Sequence, residues 1–129
     1  MKATWDIRQV SPPSVRRVRS DFSNELRKRG KSDAEVYDGT IILGELLANA
    51  CEHGRLPIRV ELRATGKQWL LTVRDSGSGF VRRIAPFDPT ADRGRGFQIV
   101  ERLGGRIHIS GGASANIQVT LPFGDSSSM

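Results

Sequence analysis

Within ELLANACEHG, residues 45–54, polar side chains recur on an otherwise apolar stretch: Glu45, Asn49 and Glu52, with His53 beside them. At helical spacing Glu45 and Asn49 are one turn apart on the same edge, and His53 lies one turn past Asn49. Val36, Leu43, Leu47 and Ala50, flanked by Leu46, form a stripe on the other side. An asparagine carbonyl is a hard oxygen ligand. Magnesium takes one or two such protein oxygens and leaves its remaining positions to phosphates and water. A carboxylate one turn away can accept a proton from a hydroxyl or a water. The same spacing also describes an ordinary amphipathic helix with a polar outer face, so ExxxN alone does not decide between them.

Two glycine clusters follow. DSGSGF, residues 75–80, ends a strand-like run. It reads either as a tight turn or as an aspartate placed to accept a hydrogen bond from a base amino group, with glycines admitting a flat ring. GRGFQIV, residues 94–100, opens a helical pattern. It reads either as a loop-to-helix junction or as an anion site, where free backbone N–H groups meet phosphates beside Arg93 and Arg95. It lacks the GxxxxGK[ST] spacing of a P-loop and does not follow a strand as a dinucleotide fingerprint would. Each cluster alone is weakly specific; the three in this order, on a helix, a strand end and a loop-to-helix junction, are specific together.

The elements that must position them are legible in the periodicity. Residues 3–10 roughly alternate as a strand, with Trp5 and Ile7 on one face. SPPS then starts a helix with proline in its first turn. Its apolar face carries Val15, Val18, Phe22 and Leu26, and Gly30 ends it. Ser32 and Glu35 form a capping box for the second helix, which runs to about His53, where Gly54 can stop it. PIRVELR and QWLLTVR, joined by ATGK, read as a hairpin. Residues 81–93 show no clear periodicity. A helix with Phe97 and Val100 buried, and two strands, RIHIS and NIQVTLP, complete the order β-α-α-β-β-loop-α-β-β. That order predicts an α+β two-layer sandwich, a mainly antiparallel mixed sheet with helices on one face. Residues 1–123 are expected to form one domain and 124–129 a disordered tail.

Composition bounds the function classes. The chain has 129 residues, 37% of them hydrophobic, with no apolar run of membrane-spanning length and no signal-peptide h-region at MKATWDIRQV. Cys51 is the lone cysteine, so no internal disulfide forms, in keeping with a reducing cytoplasm. The formal charge is +6 and the pI about 10.4. That balance raises the expectation of acidic partners, yet the arginines are scattered and the densest group, RRVRSDFSNELRKRGK, interleaves no stacking platform of aromatics. Nucleic-acid binding would rest on charge alone, and no direct nucleic-acid or membrane contact is expected.

The three motifs together resemble those of the GHKL ATP-binding superfamily, which includes gyrase, heat-shock chaperone, histidine kinase and MutL-type ATPases. ELLANACEHG matches its asparagine box; DSGSGF and GRGFQIV match its two glycine boxes. The whole chain fits one such domain, with no phosphoacceptor-histidine helix pair attached. NAxxHG, the N-terminal βα unit and the short lid look most like the stand-alone anti-sigma-factor serine kinases. The resemblance implies ATP and Mg²⁺, with Asn49 as the metal ligand and Glu45 as the general base. Asp75 would read the adenine amino group, and Gly77 and Gly79 would shape its pocket, with Phe80 beginning a lid that ends at Arg93. Gly94, Arg95, Gly96 and Phe97 would form the phosphate end. His53 has frequent counterparts and reads as a structural or phosphate-proximal residue. One departure stands out: the Gly-Thr pair that relatives carry before the last strand falls near Ser114-Ala115 here.

By the same resemblance the partners are a STAS-domain anti-anti-sigma protein, phosphorylated on serine, and a sigma factor or other regulator, with homodimers common in the family. Arg16, Arg17 and Arg19 are expected to contact an acidic patch on the partner, or else to form a merely solvated helix face. Two rival readings remain: a nucleotide-binding module that activates another protein, against which Glu45 argues mildly, and a detached histidine-kinase catalytic domain, against which the short lid and the N-terminal βα unit argue.

Overall fold

The computed structural model describes residues 1–53, 55–76, 94–110 and 116–123; for residues 53, 94–96 and 110 it describes the backbone only. The elements are β1 (Lys2–Ile7), α1 (Pro12–Lys28), α2 (Asp33–His53), β2 (Ile58–Thr65), β3 (Gln68–Arg74), α3 (Gly94–Arg102), β4 (Arg106–Ser110) and β5 (Asn116–Thr120). The strands form one sheet in the order β1-β2-β3-β5-β4. Every ladder among the described residues is antiparallel, in keeping with the expected α+β sandwich on a mainly antiparallel sheet. The cause is the last hairpin. β4 takes the outer edge and β5 folds back into the gap beside β3, so no two neighbours run the same way.

Local chemistry sets the boundaries. Ser11 caps α1 by accepting from the Ser14 amide at 3.2 Å, while the Ser14 hydroxyl accepts from the Ser11 amide at 3.1 Å. Pro12 and Pro13 occupy the first turn, where a missing N–H costs nothing. β1 is shorter than its alternation suggests. It stops at Ile7, opposite Ile58, where β2 begins and no further partner is available. The carbonyl of Gln9 instead accepts from the Ser14 hydroxyl at 2.7 Å, turning the chain toward α1. Gly30, at φ +83°, ends that helix, and the Lys31 amide reaches back to the Leu26 carbonyl. Ser32 and Glu35 make the expected capping box, with bonds of 3.0 and 3.1 Å.

Alternate residues of the sheet face the helices. Ile58, Val60 and Leu62, then Trp69, Leu71 and Val73, then Ile117 and Val119 are all buried in one core with Phe22 and Leu26 of α1. α2 is wedged among α1, α3 and β3. Contact on several sides explains why its buried stripe is wider than the sequence pattern indicates: Ile42 is fully buried along with Val36, Leu43, Leu46, Leu47 and Ala50. Gly105 lets α3 sit on the sheet, since a Cβ there would lie 2.9 Å from Val100 Cγ1 and 3.0 Å from Val119 Cγ1. At the far side the Lys31 ammonium lies 4.8 Å from the centre of the Trp69 ring and 5.4 Å from that of Phe123, and the two rings meet edge to face at 6.0 Å. Among the described residues no helix is long and apolar enough to cross a membrane.

Candidate functional site

α2 supplies the first part of the site. Glu45 and Asn49 both border its buried stripe and are both half-buried. Among the described residues neither takes a hydrogen-bond or ion-pair partner. A half-buried amide and carboxylate one turn apart keep their acceptor oxygens available for a ligand. His53 is the last residue of α2; its side chain lies outside the described residues.

Asp75 follows β3 directly and is only 3% exposed, the one buried carboxylate among the described residues. Burial of an acid is costly unless its surroundings satisfy it, so such a position is rarely incidental. Its neighbour Ser76 fixes it in space. The Ser76 amide donates to the Arg55 carbonyl at 2.9 Å, and the Ser76 hydroxyl donates to the Pro57 carbonyl at 2.8 Å. Arg55 lies two residues beyond the end of α2. These two bonds therefore bring Asp75 to the end of the fold where α2 finishes, with Asn49 one turn back from that finish. Ser76 reads in sequence only as a turn residue; its anchoring role depends on a chain segment twenty residues away.

α3 reaches the same end. It closes in a tight turn, with Gly104 at φ +96° and the Gly105 amide bonded to the Val100 carbonyl at 3.0 Å. The chain then reverses into β4, against which α3 packs. The start of α3 thus lies toward the Ser110 end of β4. Ser110 pairs with Asn116, and Asn116 with Arg74, one residue before Asp75. Gly94, Arg95 and Gly96 form the first turn of α3, whose leading N–H groups have no intrahelical acceptor. Phe97 is half-buried and packs against the core, so part of its role is to seat the helix.

Asn49, Asp75 and the start of α3 converge at one end of the sheet, while Gly77, Gly79, Phe80 and Arg93, the whole of 80–93, Ser114-Ala115, Gly54 and the 124–129 tail lie outside the described residues. Arg16, Arg17 and Arg19 are exposed on α1, apart from this convergence. The donor set fits a magnesium-bound nucleotide: an available amide oxygen, a buried carboxylate and a helix start.

The sequence profile of the histidine kinase-like ATPase domain matches residues 9–121. No curated protein matches the chain. Among solved structures, the histidine kinase AdeS of Acinetobacter baumannii aligns with a TM-score of 0.54 and 17% identity, covering 92% of this chain and 66% of that one. The histidine kinase domain of the blue-light activated histidine kinase EL346 from Erythrobacter litoralis aligns with a TM-score of 0.51 and 24% identity, covering 86% and 64%. The chain thus spans just under two thirds of the length of either structure, and at these identities the likeness concerns the fold. With the profile covering nearly all of its length, the chain belongs to the histidine kinase-like ATPase domain family, a family of ATP-binding, kinase-like domains.

Proposed function

We propose that this domain is a protein serine kinase, transferring the γ-phosphoryl group of ATP to a serine of a STAS-domain partner, and that it acts as an anti-sigma-type switch. The single observation that carries the reading is the half-buried Glu45 one turn before Asn49, on the edge of α2 that leads toward Asp75. A domain that only held a nucleotide would need the amide and the buried aspartate but no acid beside them.

In this reading Asp75 accepts a hydrogen bond from the adenine amino group, and the first turn of α3 donates its N–H groups to the phosphates. Asn49 would hold magnesium, which when bound neutralises and orients the phosphate oxygens. Glu45 accepts the proton of the incoming serine hydroxyl while its oxygen bonds to the γ-phosphorus. The bond from that phosphorus to the bridging oxygen breaks, and ADP leaves with the electron pair. Positioning and charge stabilisation supply most of such a transfer, so one base and one metal ligand are chemically sufficient.

The test is incubation with γ-labelled ATP, magnesium and STAS-domain proteins from the same genome. The wild type should yield acid-stable label on serine, and Asn49→Ala should yield none. The fold neighbours are histidine kinases, which makes acid-labile label on a histidine the second outcome to score. Absence of transfer, with ATP and a protein partner both still bound, would favour the binding-module reading.

A further inference from the structure

The helices pack on one face of the sheet and leave the other open. Alternation sends Ile58, Val60 and Leu62 of β2 into the core, and Arg59 and Arg63 outward. The register turns Lys2 of β1, Arg74 of β3 and Arg106 of β4 to the same open face, and all five cations are exposed. Spread along the chain from residue 2 to residue 106, they stand together only once the strands pair.

Their placement is electrostatically costly. Lys2 lies directly opposite Arg63, and Arg59 directly opposite Arg74. Like charges that face each other across a ladder destabilise it. Two acids offset part of this. Asp6 meets Arg59 at 3.0 Å, and Glu61 lies 3.5 Å from Lys2 and 4.0 Å from Arg63. Arg74 and Arg106 take no acidic partner among the described residues. Five cations against two acids leave an excess of three positive charges on one surface. The cations of these ion pairs are exposed and the pairs are therefore weak, so an incoming anion can draw them away.

The cations fall in two rows. Arg59 and Arg74 stand at the end of the sheet next to Asp75. Lys2, Arg63 and Arg106 stand four residues away along the strands, joined in register through Leu70 and Thr120. Four residues of antiparallel strand span about 13–14 Å. The band between the rows holds Thr4, Thr72 and Gln118, whose amide lies 3.5 Å from the Thr72 hydroxyl. Its one acid, Glu61, is engaged by the outer row. A nucleic-acid duplex has two phosphate backbones flanking a groove, about 12 Å wide for the major groove of DNA. The two rows match that spacing, whereas an acidic peptide strand would meet one row and leave the other unanswered. Trp5 packs on Phe22 and Trp69 is buried, so unstacked bases find no aromatic platform here. Leu70 is the one large aliphatic side chain on this face among the described residues, and it is half-buried, which leaves nothing to insert into a bilayer.

We infer that the open face of the sheet binds the phosphate backbones of duplex nucleic acid, one row of cations on each side of a groove, without reading the base sequence. Glu45 and Asn49 belong to the helical layer on the other side, so this is a second site and does not rest on the kinase reading.

The experiment is fluorescence anisotropy of the full chain with a short labelled DNA duplex, a duplex of unrelated sequence, the corresponding single strand, and a glutamate-rich peptide of equal charge as competitor. Both duplexes should bind alike, with the logarithm of the affinity falling against log salt at a slope of about −4, since five cations release counterions at roughly 0.9 each. Arg63→Gln, Arg74→Gln and Arg106→Gln together should weaken binding about tenfold or more at low salt and make the slope shallower by about 2–3. Arg74→Gln with Arg106→Gln, which breaks no ion pair, should act in the same direction. Arg27→Gln, Lys28→Gln and Arg102→Gln, an equal charge change at exposed positions on the helices, should alter neither affinity nor slope. All three variants should melt as the wild type does. Equal loss in the two triple variants would reduce the effect to net charge and overturn the proposal. So would failure of the duplex to bind at low salt, tighter binding of the single strand, or displacement of the duplex by the peptide.

Discussion

The two flanks of α2 differ in how the sequence uses them. Toward α1 the helix presents Thr40 and Gly44, small residues whose interactions are with the protein itself: a hydroxyl pair and the lie of an arginine. Away from α1 it presents Glu45 and Asn49, larger polar groups with no partner among the described residues. One flank is satisfied internally and shapes a neighbouring surface; the other holds acceptor oxygens in reserve. A single rigid helix thus packs against α1 on one flank while leaving polar groups unpartnered on the other.

The largest expected effect breaks the reserved flank. Glu45→Gln keeps shape and packing but removes the proton acceptor, and should slow phosphoryl transfer by about 10²–10⁴-fold. ATP affinity and partner binding should hold. Single-turnover kinetics with a phosphorylatable STAS partner measures it, and transfer at the wild-type rate would show that Glu45 is not the base.

A smaller effect sharpens the comparison by leaving α2 untouched. Asp75→Asn exchanges a carboxylate acceptor for an amide at a buried position and should cost about 10–100-fold in ATP affinity, since hydrogen bonds to charged groups contribute roughly 1.5–3 kcal/mol. Calorimetry with ATP and magnesium reads it. An unchanged affinity would remove Asp75 from adenine recognition.

The smallest effect belongs to the satisfied flank and has the opposite sign. Gly44 sits mid-helix, and a Cβ there would make ordinary contact with Arg19 at 3.7–3.8 Å. Gly44→Ala should therefore stabilise the fold by about 0.5–1 kcal/mol, the usual helix-interior difference. A thermal melt should move up by a few degrees with ATP affinity unaltered; a lower melting temperature would mean that Arg19 cannot accommodate the methyl.

Much of this was legible in the residues. The capping box at Ser32 and Glu35, the hairpin through Gly66 and the alternation of β2, β3 and β5 are local patterns with local causes, and they form as the spacing indicates. What escaped the sequence depends on contacts distant along the chain. Ile42 is buried because α2 is enclosed on several sides, which no single stripe reveals. The direction of β5 depends on where the last hairpin inserts. For the candidate site, Glu45, Asn49 and Asp75 were singled out by residue type and order alone. Their assembly at one end needed Ser76 and its bonds to the segment after α2, a join that no motif encodes.

The contact of Lys31 with Trp69 and Phe123 has a practical meaning for anyone handling this protein. It works as a buckle. Lys31 belongs to the strap between the first two helices, and Phe123 lies just past the last strand. Phe123 also presses on Gly39, where its ring would lie 3.0 Å from a Cβ. One cation and two rings thus fasten the strap between the helices to β3 and to the segment just past β5. Affinity tags and fusion partners belong beyond Phe123, since a cut made before it would remove one ring of this contact, though the shared core would still hold the helices to the sheet.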